Sequence, residues 1–141
     1  DSENRDKVFM VIPDFTAYRL ALADDSGLIH SSRESGLKPL WQALETFRNR
    51  RGLILFDKVI GLAAARLIVH SGIVASVRTL VASRPAKKYL EENGIPLDAA
   101  DVTEHILTRD RSTVCPGEQI ALACGDDETF MKKMQAMLAA S

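Results

Sequence analysis

Two short stretches and a few residues near them carry side chains able to do chemistry. The first is Cys115-Pro116-Gly117-Glu118, preceded by Arg109-Asp110. Proline suits the first position of a helix, which puts Cys115 at the N-cap. A thiol there feels the positive end of the helix dipole, which lowers its pKa and favours a nucleophilic thiolate. Glu118 falls at the third helical position, where a carboxylate accepts from the cap residue's backbone N–H. The plain alternative is therefore an inert thiol beside a capping glutamate. The second stretch is Asp57-Lys58, directly after the apolar run Gly52 to Phe56. Read as the start of a helix, it makes Asp57 the cap and sets Lys58 in a first turn, facing the positive pole. Burial there would turn Lys58 into a nucleophilic amine, with Asp57 to orient or re-protonate it. The plain alternative is a capping aspartate and a solvated lysine.

Metal chemistry has little to draw on. The chain has three histidines, His30, His70 and His105, and two cysteines, Cys115 and Cys124. No Cys-x-x-Cys pair occurs, and the cysteines are nine residues apart on one helical stretch, too far to bridge. No metal and no cofactor are expected. Two cysteines make no disulfide framework, so cytoplasmic residence is the default expectation.

The elements that must position these residues follow from punctuation and periodicity. Residues 1–15 read as a lead-in, closed by Pro13. Tyr18 to Ala23 and Leu28 to Ser32 flank the turn Asp24-Asp25-Ser26-Gly27, which predicts a hairpin. Lys38-Pro39 opens a helix whose Leu40, Leu44 and Phe47 recur at helical spacing. Gly52 to Phe56 predicts a strand covered on both faces. Lys58 to His70 predicts a mostly apolar, central helix ended by Gly72. Ile73 to Val81 predicts a strand. Ser83 and Pro85 open a helix that stops at Asn93-Gly94, and Val102 to Leu107 predicts the last strand. The final helical region begins at Cys115-Pro116, breaks at Gly125-Asp126 and resumes over 126–141. Its Met131, Met134 and Met137 make one face, which is core, or a homodimer surface if exposed.

The order hairpin, helix, strand, helix, strand, helix, strand, helix implies a single α/β domain over 1–141. It predicts a three-layer α/β/α sandwich on a mixed five-stranded sheet, parallel beyond the hairpin. The 141 residues suffice for one core, and 46% hydrophobic and 26% charged residues are ordinary for a globular chain. A formal net charge of −1 speaks against a nucleic-acid partner. No apolar run is long enough to cross a membrane.

Gly-Leu-Lys-Pro-Leu at 36–40, Asp-Lys-Val-Ile-Gly-Leu-Ala-Ala-Ala at 57–65 and Arg-Asp with Cys-Pro-Gly-Glu at 109–118 resemble a bacterial family of unknown function with a cytidine-deaminase-like fold. The resemblance covers residues 16 to 120 and implies the fold rather than an activity. Zinc deaminases carry H-x-E and P-C-x-x-C motifs. This chain has Ser35-Gly36-Leu37-Lys38 and Asp57-Lys58-Val59-Ile60-Gly61 at the corresponding places, so zinc-dependent deamination is not expected. In a parallel sheet, ligands sit at the carboxyl ends of the strands, where helix N-termini favour an anion. Ser35, Lys38, Arg109 and Asp110 are then ligand-binding candidates, and Lys58, Asp57, Cys115 and Glu118 are catalytic candidates. The expected ligand is a nucleoside or nucleotide. Three readings stay open: a binding module, an enzyme with Lys58 or Cys115 as covalent nucleophile, and an interaction protein with a vestigial pocket.

Overall fold

The computed structural model describes residues 13–104 and 116–140. Strands β1 (Leu20–Asp24) and β2 (Gly27–Ser32) form the expected antiparallel hairpin. Asp24 fixes its turn: Oδ1 accepts from the Ser26 amide at 2.9 Å, and Oδ2 accepts from Arg50 at 2.8 Å. Helix α1 (Leu37–Thr46) leads to β3 (Leu53–Asp57) and to a two-residue strand β4 (Val59–Ile60). Helix α2 (Leu62–Ser71), β5 (Val74–Ser83), α3 (Arg84–Glu92) and β6 (Leu97–Thr103) follow, then α4 (Pro116–Ala123) and α5 (Asp127–Ala139).

The sheet has six strands rather than the expected five, because Val59–Ile60 forms the short β4 where a helix is expected. β3 lies parallel on β5 at Val74–Arg78, and β4 lies parallel on β5 at Val81–Ala82. β6 also pairs with Val81 and Ala82. A strand has two edges, so β4 and β6 occupy opposite ones, and β4 continues the track of β3 across a break at Lys58. The order across the sheet is therefore β2, β1, β3 with β4, β5, β6. β1 alone runs against the rest, since both its pairings are antiparallel.

Side-chain alternation divides the sheet cleanly. Leu20, Leu22, Leu53, Leu55 and Val77 join one core with Leu40 of α1, Ile68 of α2, Leu90 of α3, Ala121 of α4 and Phe130 of α5. Ala21, Ala23, Ile54 and Phe56 face the other way, with Tyr18 and Phe15. Each crossover steps across the sheet in the same direction, and crossovers of one hand then lay their helices on one face. The described residues thus supply two layers of the expected three.

Three boundaries differ from the sequence reading. The central helix begins at Leu62, not Lys58, because the β-branched pair Val59–Ile60 extends along β5 first. Asp57 is consequently the last residue of β3 rather than a helix cap, and Lys58 stands in no helical turn. The last described strand is Leu97–Thr103, earlier than the expected Val102 to Leu107, because Leu97 and Ala99 already pair with β5 and are half-buried. Residues 105–107 lie outside the described residues. Other punctuation holds: Ser83 Oγ accepts from the Ala86 amide at 3.2 Å, and Gly72 closes α2 with φ 70°. Met134 is buried, and Met131 and Met137 pack half-buried against the core.

Candidate functional site

The junction at the carboxyl end of the central strands is built from glycines and one glutamate. Gly61 is the N-cap of α2 and has no side chain to satisfy that helix's free amides. Glu118 does so from α4. It is 2% exposed, and its Oε1 accepts from the Ala63 N–H at 2.8 Å. Its other oxygen, Oε2, is buried without a hydrogen-bond partner. A Cβ on Gly61 would fall 2.6 Å from the Glu118 Cδ and 3.0 Å from Oε2. The φ of −99° suits any residue, so what glycine supplies here is room.

Gly117, the residue before Glu118, supplies room in the same way. A Cβ there would lie 2.5 Å from Leu37 Cδ1, at the start of α1, and 3.7 Å from Ala63 Cβ, at the start of α2. Three helix N-termini therefore meet around Gly117 and Glu118. The sequence reading sets such helix starts near Lys38, at Asp57 and at Cys115; the second instead lies at Leu62, after β4, and Cys115 is outside the described residues. Glu118 makes a contact that its local sequence does not suggest. Its Oε1 caps α2, 55 residues away in sequence, while Cys115, its expected capping-box partner, lies outside the described residues.

Asp57 ends β3 opposite Leu20. Alternation from Leu53 and Leu55 puts it on the helix-covered face. It keeps some solvent contact, yet desolvation pushes its carboxyl up to about 8, against the weaker opposing pull of the Val59 and Lys58 amides and the Arg19 charge. Its carboxyl is thus largely protonated at neutral pH.

Lys58 is half-buried at the break. Its amide donates to Arg19 O at 2.9 Å, and its carbonyl accepts from the Val81 amide at 3.2 Å and from Thr79 Oγ1 at 3.1 Å. Thr79 is 5% exposed, so the backbone at Lys58 is fixed from both neighbouring strands. Ser35 and Lys38 are exposed around the start of α1, whose N-cap Gly36 has φ 93° and offers no side-chain cap. An open groove of about 600 Å³ lies nearby, between β2 and α1, lined by His30, Ser32, Pro39 and Gln42 among others but by neither Ser35 nor Lys38. Arg109, Asp110 and Cys115 lie outside the described residues. Among the described residues, no group of three His, Cys, Asp or Glu stands close enough to hold a metal ion. Cys124 is a free, buried thiol.

One buried residue escaped the sequence reading. Arg66, on α2, is 6% exposed. It donates to Ala121 O at 2.9 Å, to Cys124 O, and to Asp127 Oδ1 at 3.2 Å, and its guanidinium lies 4.2 Å above the Phe130 ring. It ties the end of α4 and the start of α5 to the central helix. A lone arginine in an apolar helix was the available signal, though nothing local said what it would reach.

Comparison with known proteins agrees with this architecture. The profile of a domain of unknown function, DUF1893 (TM1506), matches residues 15–138. The chain belongs to this family. A crystal structure of a DUF1893 family protein (TM1506) from Thermotoga maritima superposes with a TM-score of 0.78 at 25% identity, over 96% of this chain and 88% of that one. None of the curated proteins matches the chain. DUF1893 membership assigns no activity. Among the described residues, no helix is long and apolar enough to cross a membrane.

Proposed function

We propose that this DUF1893 domain binds a small nucleoside- or nucleotide-type ligand at the junction of α1, α2 and α4, on a cytidine-deaminase-like fold that lacks the deaminase zinc set. The meeting of three helix N-termini around Gly117 and Glu118 carries the reading. Free amides and positive helix poles favour an anionic group. Glu118 already answers the pole of α2. The anionic part of a ligand is therefore left to α1, where Gly36 brings no side-chain acceptor and Lys38 stands in the first turn. The order hairpin, helix, strand, helix, strand, helix, strand supports the fold assignment, as does a sheet in which only β1 is reversed. The ligand-binding set is Ser35, Lys38, Arg109 and Asp110. With a net charge of −1, a small molecule fits better than a nucleic acid.

A catalytic version is favoured by Asp57. A carboxyl pushed to about 8 at the end of a central strand can carry a proton near neutral pH, which an ordinary aspartate cannot. In that version Lys58 or Cys115 is the covalent nucleophile, and Asp57 or Glu118 is the proton carrier.

Intact mass, measured native and then denatured, tests the proposal. Mass lost on denaturation identifies a held ligand, and mass retained identifies an adduct, which peptide mapping assigns to Lys58 or Cys115. A bare chain in both states, with no nucleoside or nucleotide raising the melting temperature, refutes the binding proposal. Lys58→Ala and Asp57→Asn separate the versions: turnover lost with affinity kept supports catalysis.

A further inference from the structure

A second concavity lies at the opposite pole of the helical layer, away from the junction. Trp41, Leu44, Glu45 and Arg48 recur at three- and four-residue spacing along α1 and just past its end, and so share one face. Leu67 and His70 present the matching face of α2, and Met131 of α5 closes the third side. The half-open cleft measures about 220 Å³. That is below the usual size for a drug-like ligand and suits a molecule of roughly a dozen heavy atoms.

Its walls divide by chemistry. Leu44 and Leu67 are buried and form the floor, while Trp41 and Met131 are half-buried and form apolar sides. Charge sits on the rim. Glu45 and Arg48 are exposed one turn apart, yet no ion pair joins them, and Arg48 reaches only the Glu45 carbonyl at 3.5 Å. His70 adds a second basic group, and neither its imidazole nor the Trp41 indole N–H has a hydrogen-bond partner among the described residues. Last-turn carbonyls near the cleft are already engaged: Glu45 O by the Arg48 amide, Ile68 O by Ser71 Oγ and Val69 O by the Gly72 amide.

We propose that this cleft binds a small zwitterion with an apolar body, of the α-amino-acid class with an aromatic or branched side chain. The apolar body lies between Trp41 and Met131 over the leucine floor. The carboxylate meets Arg48 and His70, and the ammonium meets Glu45. A ligand of one charge leaves one side of this rim unanswered, whereas a zwitterion answers both. At this size the expected dissociation constant is roughly millimolar or below.

Trp41 is the chain's single tryptophan, so its fluorescence reports on the cleft directly. The full chain is titrated with phenylalanine, with leucine, and with phenylacetate and phenethylamine as single-charge controls. The expected result is saturable change in Trp41 emission with both amino acids, at least about tenfold weaker binding of both controls, and a similar loss in Arg48→Gln and in Glu45→Gln. Both substitutions are at exposed positions, and an unchanged melting curve verifies folding. No saturable change up to about 10 mM, well past the millimolar range, overturns the site. So does unaltered binding in Arg48→Gln. Controls binding as well as phenylalanine overturn the zwitterion class.

Discussion

Gly61→Ala tests the junction most directly, because the ordinary expectation has the opposite sign. At φ −99° alanine meets no backbone strain, and replacing glycine at a compatible position usually stabilises by about 0.4–1 kcal/mol through the unfolded chain. Here the new methyl would sit 2.6 Å from the Glu118 Cδ. Glu118 is buried, so the carboxylate must be pushed off the Ala63 amide or the helices must part. Overpacking costs about 1–3 kcal/mol, and an unsatisfied buried amide costs about 1–3 kcal/mol more when its bond is lost. Against the entropic gain, the net loss when that bond is lost is about 1–5.5 kcal/mol. For a chain of this size that lowers the melting temperature by roughly 3–20 °C. Thermal and urea unfolding, followed by circular dichroism, read the change. Glu118→Ala in the same background empties the space the methyl needs, so the two substitutions together should cost less than the sum of the two alone. A Gly61→Ala protein as stable as its parent, or strictly additive costs in the double variant, would show that Glu118 does not cap α2 as described.

Three further outcomes follow from the same structure. The raised carboxyl of Asp57 makes stability complete below its ordinary value near 3.8 and progressively lost as pH rises through about 8, by at most about 1.4 kcal/mol per unit; Asp57→Asn should flatten this decline, as melting temperatures from pH 4 to 9 will show. Arg66→Leu leaves the Ala121 and Cys124 carbonyls without their shared donor, and a loss of about 3 kcal/mol or more in urea unfolding is expected. Ser83→Ala removes the cap of α3 at a fully buried position and should cost about 1–2 kcal/mol, read by the same unfolding curves.

What the sequence made legible was local. The hairpin turn at Asp24-Asp25-Ser26-Gly27, the Ser83 cap with Pro85, and the Gly72 stop each rest on groups a few residues apart, and each stands where the residues said. The misread places depend on distant partners. Val59–Ile60 continues an apolar run that suits a buried helix as well as a strand, and only β5 lying alongside decides between them. A helix starting at Gly61 looks uncapped because its cap comes from residue 118. The local pattern around Glu118 points to a capping box in its own helix and gives no sign of its bond to the Ala63 amide in α2. Asp57 could be seen to matter from its position after an apolar run, but its protonated state comes from packing that no short window contains.

The two long-range attachments of α2 also bear on how the chain acquires its structure during synthesis. The Ala63 amide waits for Glu118, and Arg66 waits for carbonyls at 121 and 124. A ribosome releases the central helix well before it makes any of these. Until then the most buried helix has an open end and an arginine with nothing to hold. The hairpin, β3 and β5 can assemble on their own contacts, but the helix packed on them is finished by residues 118–127, which emerge well after it. Residues 116–140 are thus less a tail added to a complete domain than the piece that closes it, and a chain cut before Pro116 should behave as an incompletely ordered state rather than as a shorter native protein.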